Sequence, residues 1–304
     1  MQAMSITGAL MRRSSESPLF LLILTGALLG SMLPMSRVAV AAGSSPLAFA
    51  FWPALGSGIL LTAIGLRSTR LQAGRLPQLL GYSIVGGVLS VAVPNSITFF
   101  VMPELGTSLT SLVYTLPPLF TYAFAWLVGV ERYSATRIGG VLLGLTGAIM
   151  LAPGANAGVS DASWWLALAL CAPVSIAAGN IYRKLRLPQG VPAALLAGGM
   201  LLGGAAALLP PLLLSPGFLP ASPSEWQMLA LQAAFTSAGY VAYFRLQKVA
   251  DPVYFSQLGY AMSATGVVSG VVLFDEQLAM LSVVATGVIA CSIAIINSKR
   301  GAAA

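Results

Sequence analysis

Residues 107–152 read TSLTSLVYTLPPLFTYAFAWLVGVERYSATRIGGVLLGLTGAIMLA. The stretch holds an apolar run rich in aromatics, the tetrapeptide Gly129-Val130-Glu131-Arg132, and a second apolar run studded with glycines. A fainter version returns about 145 residues later, from Val253 to Asn297, with Phe274-Asp275-Glu276-Gln277 in place of Gly-Val-Glu-Arg. Ser111-Leu112-Val113-Tyr114 lies opposite Gln257-Leu258-Gly259-Tyr260, and with a single-residue gap a tyrosine falls at the same place in both. An internal duplication sets the architecture before any residue is interpreted.

Composition identifies the solvent. Of 304 residues 57% are hydrophobic and 8% charged, against roughly 25% charged in a soluble domain. Mean hydropathy is +0.88. Too few polar residues are present to cover a surface in water, so the surface faces lipid. The net charge of +7 is spread over short loops and makes no basic stripe of the kind that binds nucleic acid. Cys171 and Cys291 each sit in an apolar run, and two thiols without a histidine make neither a disulfide framework nor a zinc site. No metal and no cofactor is expected.

Arg12 and Arg13 precede the first apolar run but are followed by Ser-Ser-Glu-Ser, so that run reads as a retained helix rather than a cleaved signal. A spanning helix needs about 20 mostly apolar residues. On that basis the chain divides into ten, near residues 18–41, 46–66, 78–101, 107–129, 138–153, 163–183, 191–214, 226–247, 252–273 and 278–297. With both ends cytoplasmic, the cytoplasmic segments hold fourteen of the fifteen basic residues, Arg183, Lys184 and Arg186 among them. The opposite loops hold Glu104, Asp161, Glu225, Asp275 and Glu276 and no basic residue, the asymmetry that sets orientation.

The expected fold is an all-α integral membrane protein of ten transmembrane helices arranged as two inverted five-helix repeats. Five is odd, so the copies enter the membrane from opposite sides, as secondary transporters do around a midplane site. The expected divisions are an N-terminal cytoplasmic tail over 1–17, a first repeat over 18–153, a linker over 154–162, a second repeat over 163–297 and a tail over 298–304.

The chain resembles the EamA-type drug/metabolite transporters over nearly its whole length. In the first repeat the resemblance rests on Gly30-Ser31 followed by Arg37, on Pro117-Pro118, on Gly129-x-Glu131-Arg132 and on Gly139, Gly140, Gly144 and Gly147. In the second it rests on Glu276 and Gly287. It departs from the family pattern at Trp52-Pro53, Asp275 and Tyr260-Ala261. The resemblance implies an exporter of small amphipathic metabolites such as amino acids, in a bacterial inner membrane.

Arg37 is the only charge expected well inside the hydrocarbon region, or at most one turn from its outer edge. A buried arginine costs about 2.5–3.5 kcal/mol on insertion scales, so it either grips an anionic group or snorkels to the interface. Tyr114 and Tyr260 occupy equivalent positions and are expected to face each other across a cavity, each offering an apolar ring and a hydroxyl. Asn95 and Ser96 follow the kink expected at Pro94, and Gln257 lies one turn before Tyr260. Trp52, Asn180 and Tyr240 are weaker members of the same substrate-binding set. The alternative for all of them is polar packing between helices. Glu131 and Glu276 read as helix caps, and Pro117 and Pro118 as structural.

Gly-xxx-Gly pairs such as Gly26/Gly30 and Gly140/Gly144 read as close helix contacts within one chain, with homodimerisation through helices five and ten left open. A membrane-embedded enzyme lacks histidine, paired intramembrane carboxylates and a metal cluster. The remaining rival is a structural or regulatory subunit. A cavity among helices 1, 3, 4, 6, 8 and 9 would favour transport, and a dry interior the subunit.

Overall fold

The computed structural model describes residues 17–41, 44–68, 73–97, 101, 116–151, 162–220, 222–274 and 280–298. These are mostly helical with no strand among them, as lipid requires, since an unpaired backbone amide has no water to turn to there. The helices are α1 (Pro18–Gly30), α2 (Met32–Ala41), α3 (Pro46–Ser68), α4 (Leu76–Gly87), α5 (Pro117–Leu127), α6 (Ala135–Leu151), α7 (Ala162–Arg186), α8 (Ala193–Leu213), α9 (Pro223–Val249), α10 (Pro252–Ser256), α11 (Leu258–Phe274) and α12 (Met280–Ser298). Four apolar stretches among the described residues are long enough to cross a membrane: Pro18–Ser36, Pro46–Ser68, Leu76–Ile97 and Ala193–Leu213.

Helix starts follow local chemistry. Proline opens α1, α5, α9 and α10, where its missing N–H costs nothing and its fixed φ suits the first turn. Ser222 caps α9 in a capping box: its Oγ accepts from the Glu225 amide at 3.3 Å, and Glu225 Oε2 accepts from the Ser222 amide at 3.2 Å. Asp251 caps α10 by accepting from the Tyr254 amide at 2.7 Å. Two expected spans are not single helices. The first turns at Ser31 between α1 and α2, and the ninth at Gln257 between α10 and α11. The third runs from α4 through a π-helical stretch, Val88–Ala92, into helical residues 93–97.

The packing crosses between the two copies seen in the sequence. Helix α3 lies against α8 and α9, α4 against α8, α1 against α9 and α11, α5 against α7 and α10, and α6 against α12. The π stretch touches α7 and α8. Moving every partner to its counterpart in the other copy maps this set onto itself: α4 on α8 becomes α9 on α3, and α1 on α11 becomes α7 on α5. The arrangement has the connectivity of a pseudo-twofold.

Small residues set the distances. A side chain on Gly26 would strike Ala261, one on Gly198 would strike Thr62, and one on Gly87 would strike the backbone of Gly204 and Met200. Outward-facing positions are the reverse of a soluble protein's, with Ile59, Leu60 and Val272 at 56%, 49% and 71% exposure.

Gly87→Val forces a branched side chain against the α8 backbone, an overpacking that typically costs about 1–3 kcal/mol. Its thermal midpoint in detergent, read by fluorescence-detected size exclusion, should fall clearly below wild type. Gly81→Ala, where a Cβ meets nothing within 4 Å, should not fall. Equal midpoints for both would mean that α4 and α8 do not meet at Gly87.

Candidate functional site

The densest polar chemistry in the interior gathers around Arg183. This residue lies in the last turn of α7, which runs to Arg186. Helical side chains lean toward the helix N-terminus, so the guanidinium reaches back along α7, and it is 0% exposed. One turn earlier Asn180 Oδ1 accepts a hydrogen bond from Nη2 at 2.5 Å. Asn180 Nδ2 in turn donates to Thr121 Oγ1 on α5 at 3.1 Å.

The π stretch supplies the other polar partner. A π turn carries an extra residue and commonly marks a functional position. Here it presents Ser90 Oγ to Arg183 Nη1, and the Leu89 carbonyl accepts from Ser175 Oγ on α7 at 2.9 Å. The approach requires Gly179, because a Cβ there would collide with Ser90 Oγ.

Aromatic rings cover the guanidinium. Its carbon lies 5.4 Å from the centre of the Tyr243 ring on α9 and 5.7 Å from that of Phe255 on α10, within cation–π range. Those two rings meet edge-on at 4.6 Å, and Tyr240 tilts against Tyr243 at 5.1 Å. Further polar atoms are buried nearby: Arg183 Nε, the Tyr82 hydroxyl and both amide atoms of Gln247 have no hydrogen-bond partner. Tyr82 and Gln247 face each other outside hydrogen-bonding geometry. No carboxylate of a described residue pairs with Arg183; the ion pairs among the described residues belong to Arg137.

Arg137 ties the copies together at the same end of the bundle. Its Nη1 is 2.5 Å from Glu131 Oε2, and its Nη2 is 3.4 Å from Asp251 Oδ2. Glu131 sits in the α5–α6 corner and Asp251 caps α10. Burial pushes the Glu131 carboxyl above its ordinary range; the Asp251 carboxylate adds to this, while Arg137 opposes it.

The residues singled out by sequence are dispersed. Asn180 belongs to the Arg183 cluster, and Tyr240 borders it. Asn95 and Ser96 lie half-buried beyond the π stretch, after the buried Pro94. Gln257 stands at the α10–α11 break, wholly buried, with both amide atoms unpartnered. Tyr260, also 0% exposed with an unpartnered hydroxyl, packs toward α6: a Cβ on Gly144 would lie 2.7 Å from its ring. Trp52 joins an aromatic group with Phe51, Phe218 and Trp226, and its Nε1 donates to the Phe218 carbonyl at 3.0 Å. Pro117 and Pro118 form the buried first turn of α5. Tyr114 and Glu276, and the side chain of Arg37, lie outside the described residues.

Arg183 itself was expected in a basic loop. It lies within a helix instead, because α7 continues past it. The signal available in the sequence was the spacing of Gly179, Asn180 and Arg183, which puts a small, a polar and a charged residue on one helical face.

Comparison with known proteins sets this arrangement in a family. The model of the EamA-like transporter family matches twice, over residues 17–152 and 163–298. The chain belongs to the EamA-like transporter family. It is therefore a membrane transporter, as its resemblance to the EamA-type drug/metabolite transporters implied. Among curated relatives, the uncharacterized inner membrane transporter YedA of Escherichia coli K12 is 29% identical over 253 residues, covering 80% of this chain and 78% of its own. The YedA proteins of E. coli O6:H1 and O157:H7 match equally. A solved crystal structure superposes with a TM-score of 0.73 over 91% of this chain and 96% of its own, at 22% identity, which shows a shared fold. The EamA-like two-repeat pattern fits the exchange of partners between copies seen in the helix packing.

The raised Glu131 titration has a signed consequence. The fold holds the Glu131 proton more tightly than the unfolded chain does, so this group favours folding most at low pH and loses that contribution as pH rises through its raised titration. The midpoint of wild type minus that of Glu131→Gln should therefore grow from neutral to mildly acidic pH. A difference that shrinks on acidification would give the Arg137 pairing the upper hand over burial.

Proposed function

We propose that this EamA-like chain is a secondary active or facilitative transporter with ten spans in two inverted five-helix repeats. It exports small amphipathic metabolites such as amino acids by alternating access. The observation that carries this reading is the packing set that maps onto itself when the copies are exchanged. Two arrangements related by such an exchange are similar in contacts, and rocking between them opens a site to one side and then the other.

The family supports carriage of a solute, and the YedA relatives, named as inner membrane transporters, support a bacterial inner membrane. The distribution of basic residues supports cytoplasmic termini. The domain divisions follow: a tail over 1–17, repeats over 18–153 and 163–297 joined by 154–162, and a tail over 298–304. The substrate path runs between the copies among the third, fourth, sixth, eighth and ninth spans, which supply Ser90, Thr121, Asn180, Arg183, Tyr243 and Phe255. Tyr114, Tyr260, Asn95, Ser96, Arg37, Gln257, Trp52 and Tyr240 are the further residues proposed to face solute along it. The chain has no catalytic role and takes no cofactor in this reading.

Counterflow in proteoliposomes tests the function. Vesicles loaded with unlabelled amino acids should accumulate the labelled counterparts only when they contain the protein. A broad panel of amino acids and other small metabolites with no protein-dependent exchange would leave the family membership standing and remove transport as the activity of this chain.

A further inference from the structure

We propose that Arg183 is the anion-recognising residue of the transport path and that its ligand is the carboxylate of a small monocarboxylate with an apolar body, an inference that rests on the transport reading above. A guanidinium has five N–H donors in one plane. Tyr243 and Phe255 lie 5.4 and 5.7 Å from its carbon and 4.6 Å from each other, so both rings stand on one side of it, and the N–H donors that can grip a ligand point outward along its edge. Along that edge Ser90 takes a hydrogen bond from Nη1 and Asn180 one from Nη2, while Nε has no partner. Two of the five donors are thus held by groups that fix its orientation, and Nε with a neighbouring N–H remains for a planar two-oxygen acceptor, the geometry in which arginine and carboxylate pair.

Charge gives the ligand its valence. A buried cation is costly unless paired, and no carboxylate of a described residue pairs with this one. One monoanion neutralises it, whereas a doubly charged phosphate would carry surplus charge into a low-dielectric interior. The aromatic walls suit an apolar body. The buried, unpartnered Tyr82 hydroxyl and Gln247 amide offer partners to an amino or hydroxyl substituent.

A route to the site starts from a positive mouth. A cavity of about 350 Å³ lies between the C-terminal ends of α7 and α9, lined by Lys184, Gln189, Gln247 and Lys248 among others. Lys248 is anchored there by donating to the Val191 carbonyl at 3.1 Å. Gln247 belongs to both the cavity and the interior cluster. Lysines at the mouth concentrate anions by long-range attraction, and the arginine inside recognises their shape.

The test uses the full-length chain, both in detergent and in proteoliposomes. Probes are labelled phenylalanine, its 2-oxo acid, phenylalaninol (which lacks the carboxylate) and inorganic phosphate. Variants are Arg183→Gln, Arg183→Lys and, as a charge-matched control one turn of chain away on the exposed side, Arg186→Gln. Wild type should exchange, and be thermally stabilised by, at least one carboxylate probe but neither phenylalaninol nor phosphate. Arg183→Gln should lose exchange and stabilisation by at least about tenfold, the scale of a charge-assisted hydrogen bond. Arg183→Lys should retain only part, and Arg186→Gln should stay within about twofold of wild type.

Folded Arg183→Gln protein with undiminished carboxylate exchange overturns the assignment while leaving transport intact. If Arg183→Gln does not fold, Arg183→Lys decides, and wild-type exchange in that charge-retaining variant overturns bidentate recognition. Preference for phosphate overturns the ligand class. Exchange of phenylalaninol alone shows a carrier that does not read a carboxylate, and no exchange or stabilisation by any probe overturns the inference along with the amino acid reading.

Discussion

Hydrophobic burial does not drive helix to helix inside a bilayer, because lipid tails are as apolar as leucine. Association rests instead on close packing and on polar contacts between helices. Every major seam described here obeys that constraint. Gly26 meets Ala261, Gly87 meets Gly204, and Gly198 meets Thr62, each joining a helix of one copy to a helix of the other. The copies are interleaved, so neither can be lifted out as a separate bundle. That interleaving brings α4, α5, α7, α9 and α10 to one point and gives Arg183 its surroundings.

A charged group enclosed at such a point must be supported from several directions. Two hydrogen bonds and two rings do so for Arg183, and each comes from a different element. The cluster is consequently sensitive to how those elements sit relative to one another. A shift of α9 or α10 removes an aromatic face, and a shift of α4 removes Ser90. The Glu131–Arg137–Asp251 group is a second crossing between copies at the same end. Arg183 and the charges that hold the end of the bundle together therefore both depend on how the copies sit against each other.

Much of the fold was legible because the periodic features of a membrane chain are coarse. Apolar run length gave helix positions close to those observed; the expected seventh span over 191–214, for example, is Ala193–Leu213. Breaks within spans were less legible. Ser31 and Gln257 interrupt helices without a proline at the break, and the π stretch in Val88–Ala92 has no composition of its own. The site was harder still. Counting basic residues by loop put Arg183 beside Lys184 and Arg186, although side-chain direction separates it from both. Tyr243, Phe255 and Gln247 look like ordinary packing residues in an apolar run, and only three-dimensional proximity to Arg183 distinguishes them. Asn180 was legible because an amide in an apolar helix needs partners, which Arg183 and Thr121 provide.

The π stretch also makes the two copies unequal. Its counterpart in the second copy falls within α9, which runs unbroken from Pro223 to Val249. One extra residue in a turn rotates everything beyond it by roughly 100° relative to a continuous helix. Asn95 and Ser96 are thereby displaced from the places that symmetry would assign them. Two orientations of a symmetric carrier would be equal in energy and equally populated. Under the alternating-access reading proposed above, a carrier with this inequality would have a resting side. In that reading the inequality would not drive net flux, which only gradients do, but would set which compartment the empty carrier faces while it waits.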